Sequence, residues 1–188
     1  MPMKTKLLLH ACCAPCSSGV VPQLEKYDIT LLFYNPNIDT LAEYNRRLNA
    51  INIFIDKYNN EYSANLKLIA IPYNHQTYLT IAENLTTEKE GGARCIACIG
   101  ERLEFTAKFA KEKGYPLFAS TLSVSPHKNH EVINKIGEEL KIKYETDYLP
   151  NNFKKNNGFL NSINNSKKYD LYRQAYCGCE FAKGHLKD

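Results

Sequence analysis

Short apolar runs alternate with amphipathic stretches along this chain. Five runs are short and rich in apolar residues, as buried strands are; they lie at residues 6–10, 29–34, 66–73, 116–122 and 143–148. Between these runs, apolar residues recur every three or four positions, the spacing that gives a helix one apolar face. The pattern predicts helices at residues 17–26, 40–58, 75–84, 95–113, 129–140 and 166–176.

The alternation of predicted strands and helices indicates a single parallel β-sheet built from β-α-β units, with helices on both faces. In such a sheet, ligands bind beyond the carboxyl ends of the strands. Three cysteines, Cys12, Cys13 and Cys16, directly follow the first predicted strand. The sequence therefore predicts a functional site at this edge of the sheet. Residues 151–165, which are rich in asparagine and lysine, are predicted to form a long loop.

The length and composition fit one folded domain over residues 1–188. With 44% apolar and 23% charged residues the chain can bury a core, and 9 glycines and 8 prolines are too few for a disordered or collagen-like protein. No apolar run approaches the ~20 residues that a membrane helix needs. The three leucines after Lys6 are too few for a signal peptide. We therefore expect a cytoplasmic protein without a membrane partner.

The positive charge of the chain is concentrated in one segment. The net charge is +4, and residues 151–173 contain four lysines and one arginine but only one carboxylate, Asp170. The same segment contains seven asparagines. Lysine and amide side chains often contact phosphates in nucleic-acid complexes. On charge alone the favoured interpretation is a solvated loop with several lysines, and contact with nucleic acid is the alternative.

The seven cysteines fall in three short windows. We call these the first window (Cys12, Cys13 and Cys16), the second window (Cys95 and Cys98) and the third window (Cys177 and Cys179). Cysteines used only for packing would be scattered among apolar segments. A disulfide scaffold also fits poorly, because the chain is long enough to fold without one and the number of cysteines is odd. The pattern indicates metal, iron–sulfur or thiol redox chemistry.

The three cysteine windows are compatible with a zinc site, an iron–sulfur cluster or a metal-free dithiol. The second window is a C-x-x-C at a predicted helix start, where the helix dipole and Arg94 favour thiolates. Four thiolates suit zinc or an iron–sulfur cluster, and the three further thiols favour iron–sulfur, because a structural zinc site uses four ligands. The third alternative is a metal-free dithiol, since Cys13-Ala14-Pro15-Cys16 between a strand and a helix is similar to a thioredoxin active site. That dithiol leaves five cysteines without a role.

Distinct motifs are spread from His10 to Cys179, which is nearly the whole chain. They are His10-x-Cys12-Cys13-Ala14-Pro15-Cys16, Phe33-Tyr34-Asn35-Pro36-Asn37-Ile38, Glu43-Tyr44 with Arg46 or Arg47, Gly92-x-Arg94-Cys95-x-x-Cys98 with Arg102-Leu103 and Thr106-Ala107, Thr121-Leu122-x-x-Ser125-Pro126-x-Lys128, and Tyr172-Arg173-Gln174-x-Tyr176-Cys177-Gly178-Cys179. Together these motifs resemble those of the QueH type of epoxyqueuosine reductase. Matches at so many separate places are far more specific than a single C-x-x-C.

The resemblance implies an enzyme that deoxygenates epoxyqueuosine to queuosine at the wobble position of tRNA. The epoxide becomes an alkene and water, which consumes two electrons and two protons. The implied partners are tRNA bearing epoxyqueuosine, which residues 151–173 are expected to contact, and an unidentified electron donor. The implied cofactor is a 4Fe–4S cluster held by Cys12, Cys13, Cys95 and Cys98.

A second redox or metal element beside the cluster is also implied. In that element, Cys177 and Cys179 form a redox-active disulfide pair or bind an adjacent iron. The family does not always have cysteine at the position of Cys16 and can have a carboxylate there. We therefore expect Cys16 to be a third ligand of that second metal, and we group Cys16, Cys177 and Cys179 as catalytic.

The residues beside the third window and in the Ser-Pro motif are candidates for substrate binding. Tyrosine can stack on a base and arginine can bind phosphate. A base in an anticodon loop is single-stranded, so stacking rather than duplex recognition is expected. The candidates are Tyr172, Arg173, Gln174, Tyr176 and Lys128.

With this resemblance, the expected fold is a three-layer, Rossmann-like parallel sheet of the nucleotide-alpha-hydrolase type, with a C-terminal helical extension that carries cysteines. Two other functions stay open. One is a thioredoxin-like dithiol oxidoreductase that uses Cys13 and Cys16, and the other is a zinc-stabilised RNA-binding module. His10, at the end of the first predicted strand, is either a proton donor or a hydrogen-bonded core residue.

Overall fold

The computed structural model describes residues 4–185, with side chains described up to Ala182. In this part of the chain, five parallel strands form one sheet in the order β3-β2-β1-β4-β5. The strands are β1 (Lys6–His10), β2 (Asp28–Phe33), β3 (Lys67–Ala70), β4 (Leu117–Ser120) and β5 (Asp147–Tyr148). All five predicted strands are confirmed, although several are shorter than the apolar runs suggested.

The central strand β1 is buried on both faces. It pairs with β2 on one side and β4 on the other, so that Leu9 lies opposite Leu31 and Ala119. Successive side chains of a strand point to opposite faces. Leu7 and Leu9 therefore enter one core and Leu8 enters the other. This explains why β1 is a continuous apolar run rather than an alternating one.

Within residues 4–185, six α-helices form the two outer layers. They are α1 (Ala14–Val20), α2 (Leu41–Tyr62), α3 (His75–Ala82), α4 (Ala93–Lys113), α5 (His130–Tyr144) and α6 (Gly158–Lys168). Val20 of α1 and Phe54 of α2 are buried in one core, whereas Leu103 of α4 and Ile133 of α5 are buried in the other. The three-layer α/β architecture is therefore confirmed. Within the described residues, no helix is both long enough and apolar enough to cross a membrane.

The C-terminal third of the chain differs from the prediction. The expected loop at 151–165 and helix at 166–176 are wrong, because α6 starts at Gly158 and ends at Lys168. The helix ends there because Asp170 adopts a left-handed backbone conformation with φ of 52°. The extension that carries the third window is irregular from residue 169 to residue 179, and a 3-10 helix follows at Glu180–His185.

Packing against α1 explains why the asparagine-rich segment is helical. Asparagine has a low helix propensity, so the local sequence does not favour α6. Two glycines allow the backbones to approach closely, since a Cβ at Gly19 would lie 2.4 Å from the carbonyl oxygen of Gly158. The side-chain amide of Asn165 also donates to the carbonyl of Ser18 at 2.7 Å. Tertiary contact thus overrides the local preference.

Candidate metal centre and adjoining cavities

The first window lies in the turn between β1 and α1. At this point the order of the strands reverses, which leaves a crevice at the carboxyl edge of the sheet. Cys13 is the N-cap of α1, and its Sγ accepts a hydrogen bond from the backbone N–H of Cys16 at 3.4 Å. The Sγ atoms of Cys12, Cys13 and Cys16 all lie within 4.8 Å of one another. The first window is therefore a group of three thiols that could hold one metal ion.

The three thiols of the first window differ in pKa. Hydrogen bonds with the thiols of Cys13 and Cys16 hold the pKa of Cys12 well below its usual value. Hydrogen bonding with Cys12 raises the pKa of Cys13 to about 12 and also raises the pKa of Cys16. Cys12 is therefore the thiol of this window that loses its proton most readily. Binding of a metal by all three thiols requires them as thiolates and releases the protons that they still carry.

The second window lies in the first turns of α4. The backbone N–H of Gly91 donates to the Sγ of Cys95 at 3.3 Å. Burial raises the pKa of Cys98 to about 11. The guanidinium of Arg94 donates to the carbonyls of Leu85, Thr86 and Glu88, which ties the preceding loop to the start of the helix. Both thiols therefore project from a fixed helix terminus.

The third window is held through its backbone by one turn of α2. Arg47 is only 2% exposed, and its guanidinium donates to the carbonyls of Tyr176 and Cys177. Its Nε donates to the Glu43 carboxylate at 2.7 Å. Gly178 has φ of 127°, a conformation that favours glycine, and its carbonyl accepts from the N–H of Asp39 at 2.9 Å. The sequence motifs included Glu43 and Arg47, but no local pattern could indicate this contact with distant residues.

The three windows meet at one edge of the sheet, around two cavities. The thiol cavity, of about 210 Å³, is lined by both thiols of the second window and both of the third. The outer cavity, of about 380 Å³, is lined by Cys12, Cys16 and Cys177. Cys177, Arg102 and Lys128 line both cavities, so the two spaces share a wall.

Two cations face the thiols from this shared wall. Arg102 is 2% exposed, and its Nε donates to the carbonyl of Cys98 at 3.1 Å. Burial lowers the pKa of Arg102, whereas the negative charge of the Cys98, Cys177 and Cys12 thiolates raises it. The second effect is larger, so the pKa of Arg102 lies above its usual value. The thiols of Cys177 and Cys12 likewise raise the pKa of Lys128 against the effect of burial. Within residues 4–185, neither cation forms a salt bridge with a carboxylate.

These donors fit an anionic thiolate-bound metal centre. A buried guanidinium needs a compensating negative charge, and the groups that favour the charged form of Arg102 are the thiols of Cys98, Cys177 and Cys12. All seven cysteines are free, so none is committed to a disulfide. The closest grouping of sulfurs is the first window, whereas the resemblance implies a cluster shared between the first and second windows. The division of the thiols between two centres stays a prediction.

His10 is a core residue, not an accessible proton donor. Its side chain is fully buried, with Nδ1 2.9 Å from the Ser120 hydroxyl and Nε2 3.0 Å from the Tyr34 carbonyl. Because a carbonyl only accepts, Nε2 carries the proton of the neutral ring. Burial, followed by the positive charge of Arg102, lowers the pKa of His10 to about 4.

The buried His10 predicts a stability that decreases with acid. Above pH 6.5 the ring is neutral in both the folded and the unfolded chain, whereas between pH 6.5 and 4 the unfolded chain binds a proton that the folded chain excludes. Lowering the pH from about 7.5 to about 5 should therefore cost about 2 kcal/mol of unfolding free energy through this residue. The measurement is urea unfolding of the metal-free protein and of His10→Gln. Parallel pH profiles of the two proteins would contradict the assignment.

Four of the five predicted substrate-binding residues line the outer cavity. They are Lys128, Arg173, Gln174 and Tyr176. The side-chain oxygen of Gln174 is buried, and no group in the described part of the chain donates a hydrogen bond to it. Tyr172 does not line this cavity, because its hydroxyl donates to the Glu43 carboxylate. Tyr172 instead contacts the Glu43–Arg47 pair, whose arginine holds the backbone of the third window.

Comparison with known proteins gives a match across the whole described site. The sequence model described as epoxyqueuosine reductase QueH matches residues 7–185. A protein of that name from Staphylococcus epidermidis is 43% identical over 182 residues, which cover 95% of this chain and 76% of that one. The protein of that name from Streptococcus pyogenes is 40% identical over 181 residues, covering 96% and 71%. The one from Thermotoga maritima is 34% identical over 177 residues, covering 94% and 89%.

Proposed function

Because this chain belongs to the epoxyqueuosine reductase QueH family, we propose that it deoxygenates epoxyqueuosine in tRNA to queuosine. The observation that carries the proposal is the meeting of three cysteine windows, the buried Arg102, the half-buried Lys128 and an open cavity at one edge of the sheet. The reaction cleaves both C–O bonds of the epoxide. Two electrons and two protons enter, and an alkene and water leave. An unidentified donor supplies the electrons.

We propose that Cys12, Cys13, Cys95 and Cys98 hold a 4Fe–4S cluster. An all-thiolate donor set beside the buried Arg102 supports an anionic group of this kind. When bound, such a cluster supplies low-potential electrons that amino-acid side chains cannot supply. A cluster of this kind transfers one electron at a time, whereas the reaction consumes two. A second group that holds an electron near the substrate would therefore be useful.

Cys16, Cys177 and Cys179 are the candidates for this second element. As a dithiol, Cys177 and Cys179 would release two electrons and two protons on closing a disulfide, which balances the deoxygenation. As ligands, they would bind a second iron together with Cys16. The place of Cys177 in the wall of both cavities supports either role.

The outer cavity has the charge and size to take the modified nucleoside. Four lining side chains are cationic (Arg47, Arg102, Lys128 and Arg173), and one, Glu90, is a carboxylate. A volume of about 380 Å³ lies within the usual range for small-molecule sites. In this proposal Gln174 accepts a hydrogen bond from the base or its hydroxyls. The ammonium of Lys128 donates to the oxygen that leaves the ring.

Anaerobic purification, metal analysis and a turnover assay test this function. We expect about four irons per chain with matching sulfide. We also expect conversion of epoxyqueuosine in tRNA when a strong reductant is present. A metal-free protein that reduces disulfides through Cys13 and Cys16 would instead support the dithiol oxidoreductase. One zinc without iron, together with RNA binding and no turnover, would support the RNA-binding module.

A further inference from the structure

We propose that Phe159 is a stacking platform for a base of the anticodon loop next to the target nucleotide. The inference rests on the proposed function, because it takes a single-stranded RNA loop as the partner. Phe159 is the second residue of α6, and it lines the outer cavity together with Arg173 and Gln174. In this proposal the nucleoside in the cavity is the target, and the base next to it in the loop stacks on the ring of Phe159.

The exposure of Phe159 is unusual for this protein. Its side chain is 39% exposed, whereas Phe33, Phe54 and Phe118 are fully buried. The other four phenylalanines are buried or half-buried, and all eight lie in the described part of the chain. An aromatic ring left open at the rim of a cavity loses contact area that the core would provide. Stacking on a base would restore this contact, because every base has an apolar face.

The surroundings of Phe159 suit a polyanion. No aspartate or glutamate occurs from residue 148 to residue 169, and that stretch contains four lysines. Lys155 and Lys167 are exposed and available to phosphates. Lys154 and Arg173 donate to protein oxygens, which fixes their charges near the cavity. A protein partner with an acidic surface would satisfy the lysines, but it would not need an aromatic ring beside a nucleoside-sized cavity.

Backbone packing fixes the platform in place. A Cβ on Gly158 would lie 1.8 Å from the carbonyl oxygen of Phe153, and a Cβ on Gly19 would lie 2.4 Å from the carbonyl oxygen of Gly158. The start of α6 is therefore pressed against α1, which is the helix capped by Cys13. The backbone of Phe159 is thus positioned by the same helix that positions the first window. A base that stacks on this ring has only the two side-chain torsions of Phe159 to order, because the backbone is already fixed.

The tyrosines beside the third window are less suited to this task. The hydroxyl of Tyr172 donates to Glu43, and the guanidinium of Arg46 lies 5.0 Å from the centre of its ring. The hydroxyl of Tyr176 donates to Asp39, and Arg47 lies 5.3 Å from the centre of its ring. Each of these rings already has a cation over one face.

An anticodon stem-loop RNA is the probe for the platform. We expect Phe159→Ala to weaken binding about ten-fold, as loss of one stacked base does, and to raise the KM for tRNA with kcat unchanged. Phe159→Tyr should restore binding. The matched control is Leu160→Ala, the neighbouring residue that is 51% exposed and does not line the outer cavity. Equal affinities of the wild-type and Phe159→Ala proteins would overturn the inference.

A fluorescence measurement detects stacking directly. The chain contains no tryptophan, so Phe159→Trp introduces a single indole reporter. We expect the stem-loop to quench its emission, and we expect little quenching in Leu160→Trp. Equal quenching in both variants, or a change that depends on protein concentration without RNA, would overturn the inference. If the wild-type protein binds the stem-loop but does not turn over modified tRNA, the proposed function fails while the platform stands.

Discussion

Replacing Cys98 by alanine is expected to remove the bound iron and to abolish turnover. Cys98 is the buried member of the second window and lines the thiol cavity. Even a residue that only orients a metal ligand contributes about 10- to 100-fold to metal affinity or activity, so loss of a proposed ligand should cost more than about 100-fold. Iron and sulfide content, visible absorbance and turnover of modified tRNA, all measured anaerobically, test this expectation.

The control for this experiment is Ala97→Ser. It changes the adjacent, half-buried residue of the same helical turn without removing a thiol. We expect normal iron content and turnover from it. Full turnover by Cys98→Ala with normal iron content would remove the second window from the cluster assignment. Loss of iron from both variants would point to a general defect in folding of this turn.

Replacing Gly19 by alanine is expected to destabilise the protein by at least about 2 kcal/mol, in the upper part of the range for an overpacked core. The new methyl group would lie 2.4 Å from the carbonyl oxygen of Gly158 and 2.9 Å from the Cβ of Ser162. Both neighbours belong to α6, so the whole helix would have to move. The free energy of unfolding, measured in urea under reducing conditions, tests this expectation.

Gly100→Ala is the matched control for Gly19→Ala. Gly100 lies inside α4, and a Cβ there would meet nothing within 4 Å. Alanine is favoured over glycine in a helix interior by about 0.5–1 kcal/mol, so this variant should be slightly more stable than the wild type. If Gly19→Ala were also more stable, α1 and α6 would not be in tight contact.

The sheet was predictable from the sequence because each strand carries its own signal. β1 and β2 are buried on both faces and are therefore continuous apolar runs, and the helices between the strands have regular apolar spacing. α6 was not predictable. Its residues are poor helix formers, and its stability comes from contact with Gly19, which is far away in the sequence.

The candidate site was predictable only in part for the same reason. Clustering of the cysteines and the placement of the first window after β1 indicated the site and its edge of the sheet. The contacts that hold the site in place join residues far apart in the sequence, such as the hydrogen bonds from Arg47 to the carbonyls of Tyr176 and Cys177. A local sequence pattern does not indicate such contacts. The exposure of Phe159 is also a property of the folded surface that no local pattern reports.

The three windows come from distant parts of the chain, and this has a consequence for refolding. Parallel strand pairing is non-local and therefore slow, so the seven free thiols meet late. Until then air can oxidise them in wrong pairs, because accessible thiolates are oxidised to disulfides and exchange with the disulfides they can reach. Recovery of native protein from the denatured chain should therefore depend on a reducing agent throughout, and the yield in air should be limited by mispaired sulfurs rather than by the sheet.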